Sequence, residues 1–311
     1  MGFSLPISSR NIYNLFADGE LDDHERQMRA ALATDLVLKR EGKLDRPEAK
    51  QLLSLPWWQR IYDDRLEITT LSDHRLDDVA GPLHTLYGRL TEREAALLRP
   101  MAKWLYTKKH LPDLRSKSVL EIGSSSGFWS LKFAEFGAAK VTGVEAIPEQ
   151  VECATSMAKR KGVNDRVTFI NADAFYDRIE PHDIVFYSEV LTHSLVPHHA
   201  FLRTLGLAKE LVIADEWFGW DAETNGQFFV NADLVFTGYA ISENAALTLC
   251  YFAGIDLTKV RRYRNQYNRG CTLMIIPTQG NDEYRAERLP HPSMRAMITH
   301  AMGLGSAQAR Y

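Results

Sequence analysis

Apolar positions along this chain follow two regimes. Up to about position 112 the pattern is helical and charged, and from 117 onward short apolar runs alternate with amphipathic segments. In the first regime, residues 22–41 are rich in Ala, Leu, Arg and Glu and carry apolar side chains at helical spacing. Thr91 with Glu94 has the spacing of a capping box, opening a helix through Leu97, Met101 and Leu105. Between them lies Pro56-Trp57-Trp58-Gln59-Arg60-Ile61-Tyr62, followed by alternating Leu66, Ile68 and Thr70. The adjacent tryptophans read either as packing or as a pocket lid.

The second regime predicts strands over 118–122, 140–145, 167–171, 183–188 and 211–215, with helices over 127–136 and 149–161 between the first three. This alternation implies a parallel sheet with helices on both faces. A helical run over 242–255 leads to strands over 259–267 and 271–277, separated only by Asn268, Arg269 and Gly270. So short a link cannot hold a parallel crossover, which makes the pair an antiparallel hairpin. The expected fold is α/β and Rossmann-like: a seven-stranded, mostly parallel sheet with an antiparallel last strand, plus an N-terminal helical extension. The expected layout is a cap over 1–112, a cofactor domain over 113–279 and a tail over 280–311. Residues 219–239 form an insertion long enough to serve as a substrate loop or a dimer contact.

Composition changes this picture little. A chain of 311 residues with 45% hydrophobic and 25% charged residues can bury a sizeable core. The net charge of −3 shows no electrostatic footprint for nucleic acid. That argues only weakly against an RNA substrate, because a local basic patch can hide in a balanced total. Cys153, Cys250 and Cys271 are widely spaced and suit a reducing cytoplasm, without a disulfide framework or a metal site. Residues 1–10 lack the pattern of a signal peptide, and the longest apolar runs fall short of a membrane span.

The chemistry concentrates in Val119-Leu120-Glu121-Ile122-Gly123-Ser124-Ser125-Ser126-Gly127-Phe128-Trp129-Ser130. A buried strand enters a turn of small residues and a helix leaves it. Small residues let the backbone approach a ligand, and a helix start offers N–H groups to an anion. A nicotinamide site would need Gly-x-Gly-x-x-Gly, and that fingerprint fails at Ser125 and at Phe128. Glu145, beside Ala146, ends the second strand 22 positions after Gly123, where a carboxylate can accept both ribose hydroxyls. Asp173, followed by Ala174, comes after the third strand and reads as a second nucleoside contact or as a helix cap.

The run resembles the acidic-x-Gly-x-Gly-x-Gly motif of class I S-adenosylmethionine-dependent methyltransferases, with Glu121, Gly123 and Gly127 in place and Ser125 where glycine is usual. Serine suits that position if its φ is negative. The antiparallel last strand also belongs to that class, and Trp58–Thr70, Gly127-Phe128-Trp129-Ser130 and Val190-Leu191-Thr192-His193 are similar to the group that includes tRNA wobble-uridine carboxymethyltransferase-like enzymes. The resemblance implies S-adenosylmethionine as cofactor and S-adenosylhomocysteine as product. Ser124 and Ser125 would then hold the amino-acid tail, Glu145 the ribose, and Asp173 with the Ala174 amide the adenine. Ser188 completes the cofactor set, while Phe128 and Trp129 read as core or as aromatics flanking the sulfonium. The loop after the fourth strand, Tyr187-Ser188-Glu189-Val190-Leu191-Thr192-His193-Ser194, faces the transfer point in such enzymes.

His193 is the candidate base there, because imidazole titrates near neutrality, and Glu189 would orient the acceptor. Either could instead be structural. Asp215, Glu216 and Trp217 after the fifth strand, together with Trp58, are candidates for the substrate pocket. The favoured function is methyl transfer to an O or N atom of a small metabolite. The alternatives are a tRNA-modifying methyl or carboxymethyl transferase using Arg261, Arg262, Arg264 and Arg269, and a non-catalytic cofactor-binding or scaffold protein.

Overall fold

The computed structural model describes residues 45–57, 61–63, 66, 68–70, 103–104, 106–218, 229–230, 239–264 and 271–278. The expected helix over 22–41, the capping box at Thr91, most of the 219–239 insertion, Trp58 and the tail over 280–311 lie outside them. In the N-terminal region, helix α1 (Pro47–Leu53) precedes a short antiparallel pair, β1 (Tyr62–Asp63) and β2 (Ile68–Thr69). Residues 103–104 and 106–108 are helical.

Next come β3 (Ser118–Ile122), α2 (Phe128–Glu135), β4 (Lys140–Glu145), α3 (Pro148–Arg160) and β5 (Val167–Asn171). The three strands pair in parallel, Val119 opposite Val141 and Val141 opposite Val167. All three therefore end on one edge, which brings Gly123, Glu145 and Asn171 to the same side. Helix α3 begins at Pro148, whose ring presets φ, and carries Glu149 in its first turn and Lys159 and Arg160 in its last. Each complements the helix dipole. Its buried stripe, Gln150, Cys153, Ala154, Met157 and Ala158, repeats at helical spacing.

The later elements are β6 (His182–Ser188), a 3-10 turn (Leu191–His193), α4 (Pro197–Leu207), β7 (Ala208–Trp217), β8 (Phe229–Val230), β9 (Tyr239–Ala240), α5 (Glu243–Phe252), a second 3-10 turn (Leu257–Lys259), β10 (Arg261–Arg264) and β11 (Cys271–Pro277). Strands β6 and β7 are parallel, with Val185 opposite Val212 and Ser188 opposite Asp215. Just past β11, Thr278 donates its N–H to Glu210 O at 2.8 Å and its hydroxyl to Ala208 O at 3.0 Å. The end of β11 thus lies beside the start of β7, which makes β11 antiparallel.

The seven-stranded sheet has the order β10-β11-β7-β6-β3-β4-β5, with β8 and β9 pairing separately. It is mostly parallel with antiparallel last strands, as the sequence predicts. Strand β7 begins three residues earlier and ends two later than the apolar run alone implies. Cys153, Cys250 and Cys271 are buried and form no disulfide among the described residues. Among the described residues, no helix is long and apolar enough to cross a membrane.

Candidate cofactor site and acceptor loop

The turn after β3 is wound from alternating backbone hands. Gly123, Ser125 and Gly127 have φ of +67°, +48° and +89°. These are the three glycine positions of the motif that the sequence resembles. The condition placed on Ser125 is therefore not met: serine occupies the left-handed region, at a strain of about 1 kcal/mol. Local hydrogen bonds hold it there. Gly123 and Ser124 both donate to Val144 O, at 2.9 and 3.0 Å, and Gly127 N–H donates to Ser124 O at 2.8 Å. The Ser125 N–H donates to Glu145 Oε2 at 2.8 Å.

Two glycines that close this turn act through space as well as through φ. A Cβ on Gly127 would stand 2.7 Å from Phe169 Cζ and 2.9 Å from Ala154 Cβ. One on Gly143 would stand 2.5 Å from Phe169 Cδ1 and 2.9 Å from Ser124 Cβ. The Phe169 ring on β5 thus reaches across Gly143 on β4 to support the turn. Neither Gly143 nor Phe169 is singled out by the motif. The signal was available as a glycine inside a strand, which marks a close approach.

Glu145 is 9% exposed and divides its carboxylate between two backbone donors, Ser125 N–H at Oε2 and Ile147 N–H at Oε1, the latter at 2.9 Å. Each oxygen keeps a lone pair, so the group is fixed yet still able to accept hydroxyls. Asn171 Nδ2 donates to the carbonyls of Glu145 and Ala146, both at 3.0 Å, pinning the end of β4 to the end of β5. Asp173 is partly exposed just beyond, and Ala174 is buried.

Glu121 faces inward. It is 1% exposed and accepts from Ser130 Oγ at 2.5 Å. Burial pushes its carboxyl up to about 8; the Ser130 bond pulls the other way, and the nearby Glu145 charge adds to the rise. Phe128 and Trp129 are also buried, and Trp129 packs edge-on to Trp104 and stacked with Phe133. Both side chains pack within an aromatic cluster of the core.

The turn fits a nucleoside with an amino-acid tail. The hydroxyls of Ser124 and Ser125 are buried with no hydrogen-bond partner among the described residues, although each can donate and accept. A ligand with a carboxylate or an ammonium beside them would satisfy both, while Glu145 offers acceptors to a diol. These are the polar features of S-adenosylmethionine.

The loop after β6 is built separately. Glu189 adopts φ +55° and donates its N–H to Asp215 O at 2.9 Å. Ser188 Oγ donates to Asp215 Oδ2 at 3.2 Å, and Asp215 is fully buried. Glu216, 1% exposed, accepts from Val190 N–H at 2.8 Å and Leu191 N–H at 2.9 Å on Oε2, and from Trp217 N–H at 3.0 Å on Oε1. Burial raises its carboxyl to about 8 against the pull of those amides. Three backbone amides thus hold the Glu216 carboxylate in this loop, and Asp215 is tied to the same loop through Ser188 and Glu189. His193 is exposed at the end of the 3-10 turn, and Glu189 and Trp217 are partly exposed. Among the described residues, no group of three or more His, Cys, Asp or Glu side chains could hold a metal ion.

Residues 119–208 match the family described as a methyltransferase domain. The chain is 27% identical over 100 residues to tRNA U34 carboxymethyltransferase of Desulfotalea psychrophila, covering 32% of this chain and 31% of that protein. It is 36% identical over 55 residues to ribosomal protein L11 methyltransferase of Salmonella arizonae, covering 18% and 19%. The chain spans well under half the length of the curated relatives it matches. Among solved structures, the N-terminal domain of EvdMO1, crystallised in the presence of S-adenosylhomocysteine and D-fucose, superposes with a TM-score of 0.52 at 15% identity. The match covers 77% of this chain and 96% of that one, and shows a shared fold. The chain thus carries a methyltransferase domain within residues 119–208.

Proposed function

We propose that this methyltransferase domain serves an enzyme that moves the methyl of S-adenosylmethionine to an O or N atom of a small metabolite. The observation that carries the reading is Glu145, a carboxylate fixed by two backbone donors beside two buried serine hydroxyls that have no partner among the described residues. In this reading Glu145 accepts the ribose hydroxyls, and Asp173 and the Ala174 amide meet the adenine. Gly123, Ser124, Ser125 and Gly127 enclose the amino-acid tail.

Bound there, the cofactor supplies a methyl carbon on a sulfonium, open to in-line displacement that leaves S-adenosylhomocysteine. The protein's task is then mostly alignment. Glu189, held in a left-handed conformation by its bond to Asp215 O, orients the acceptor, and strain at such a position is a common mark of function. His193 takes the acceptor's proton on its exposed imidazole where the nucleophile carries one.

The small-molecule preference rests on the balanced charge of −3. A tRNA-modifying role is the second reading. It is favoured by the partly similar tRNA carboxymethyltransferase and by the exposed Arg261 and Arg262 on β10, although Arg262 pairs with Glu243 at 2.5 Å. Incubation with methyl-labelled S-adenosylmethionine separates the two. Label should pass to a component of a metabolite panel and not to bulk tRNA. Label on tRNA, with binding that weakens steeply as salt rises, would establish the second reading instead.

A further inference from the structure

A polar side chain on the buried stripe of α3 has no role in the cofactor contacts described above. Gln150 is 8% exposed and lies among Cys153, Ala154 and Met157. Its Oε1 accepts from Ser126 Oγ at 2.6 Å, and its Nε2 donates to Pro56 O at 2.7 Å. Ser126 is fully buried and sits between Ser125 and Gly127, the two left-handed residues that complete the cofactor turn. Pro56 precedes Trp57, which is 1% exposed and donates its indole N–H to Leu52 O at 2.7 Å. One carboxamide therefore ties the turn to Pro56, which lies 94 residues before Gln150 in sequence.

A carboxamide is suited to this place because it accepts at one end and donates at the other. An ionised carboxylate only accepts, and a thioether does neither well. Proline lacks an N–H, so its carbonyl is the one backbone group by which Pro56 can be held. With both ends of Gln150 buried and paired, a shift of Pro56 relative to α3 must either break a bond or drag Ser126. The same holds in reverse.

We propose that Gln150 is a positioning residue, which sets the cofactor turn through Ser126 and couples its occupancy to the segment around Pro56 and Trp57. The inference rests on the reading of the turn as the S-adenosylmethionine site. It extends that reading by making residues 52–57 part of the binding unit. Binding of a ligand at the turn then tightens the N-terminal segment through two hydrogen bonds in series.

The test uses the full chain with S-adenosylhomocysteine, and the variants Ser126→Ala, Gln150→Met and both together. Each single change should raise the calorimetric Kd about tenfold, and the double change no further, because both interrupt one path. In the wild type, ligand should slow amide hydrogen exchange at residues 52–57; in either variant that slowing should vanish while it persists at 124–127. Singles that bind within twofold of the wild type, losses that add, or undiminished protection at 52–57 would overturn the coupling. If Gln150→Met does not fold, Ser126→Ala, which removes a single oxygen, decides alone. A wild type that does not bind the ligand would instead overturn the cofactor reading itself.

Discussion

Ser125 and Glu145, 20 positions apart in sequence, meet through a 2.8 Å bond from backbone N–H to carboxylate, with Ser125 at φ +48°. The two features explain each other. The left-handed conformation turns the amide toward the end of β4, and the carboxylate that holds it there is the group assigned to the ribose. A charge-assisted bond of this kind contributes about 1.5–3 kcal/mol, enough to offset about 1 kcal/mol of backbone strain.

The turn's dependence on Phe169 yields a double-mutant test. Gly127→Ala places a Cβ at φ +89° and within 2.7 Å of the Phe169 ring, so it should cost about 2–4 kcal/mol in urea unfolding. Adding Phe169→Leu removes the overlap but not the φ strain. The pair should therefore lose clearly less than the sum of the single losses, and simple additivity would show that Phe169 does not support the turn.

Glu121 makes stability depend on pH. Its folded-state value of about 8 lies above its ordinary 4.5, so between those limits the native protein keeps a proton that the unfolded chain has released. Stability attributable to this group is present below about pH 4.5 and is lost as pH rises through 8. Compared with Glu121→Gln, the wild type should lose on the order of a few kcal/mol more between pH 5 and 9. Chemical unfolding at several pH values reads this directly, and parallel curves for the two proteins would refute it.

Glu216 supports the loop that follows β6. Glu216→Ala removes the partner of three amides, at Val190, Leu191 and Trp217, and should cost about 3 kcal/mol or more. The Val190 and Leu191 amides should exchange faster with solvent, while affinity for S-adenosylhomocysteine changes little. Glu216→Gln, which keeps one acceptor oxygen, should fall between. Unchanged exchange at Val190 and Leu191 in Glu216→Ala would contradict the assignment.

Much of the fold was legible in the sequence because burial on both faces of a parallel strand leaves an apolar run, as in Val119 to Ile122, and because three residues cannot bridge parallel strands. The boundaries of β11 follow from this, whereas β5, at the sheet edge, alternates and buries only Val167 and Phe169. Extension of β7 to Ala208, Lys209 and Glu210 is set by its partners, since Thr278 holds the carbonyls of Ala208 and Glu210. Nothing local to that polar stretch announces it.

The candidate site divides in the same way. Glu121, Gly123, Gly127, Glu145 and Asp173 are readable from spacing along the strand ends. The left-handed serine is not, because serine gives no local sign of positive φ. The hydrogen bonds that tie Asp215 and Glu216 to the loop after β6 were also hidden. Two acids beside aromatics look the same in sequence whether they face a ligand or the backbone amides of a neighbouring loop.

Titration calorimetry of the full chain with S-adenosylhomocysteine bears most directly on the central claim. The wild type should bind one equivalent, and Glu145→Ala and Asp173→Ala should each raise Kd about tenfold or more while remaining folded. No heat of binding in the wild type, or the same affinity in both variants, would contradict it.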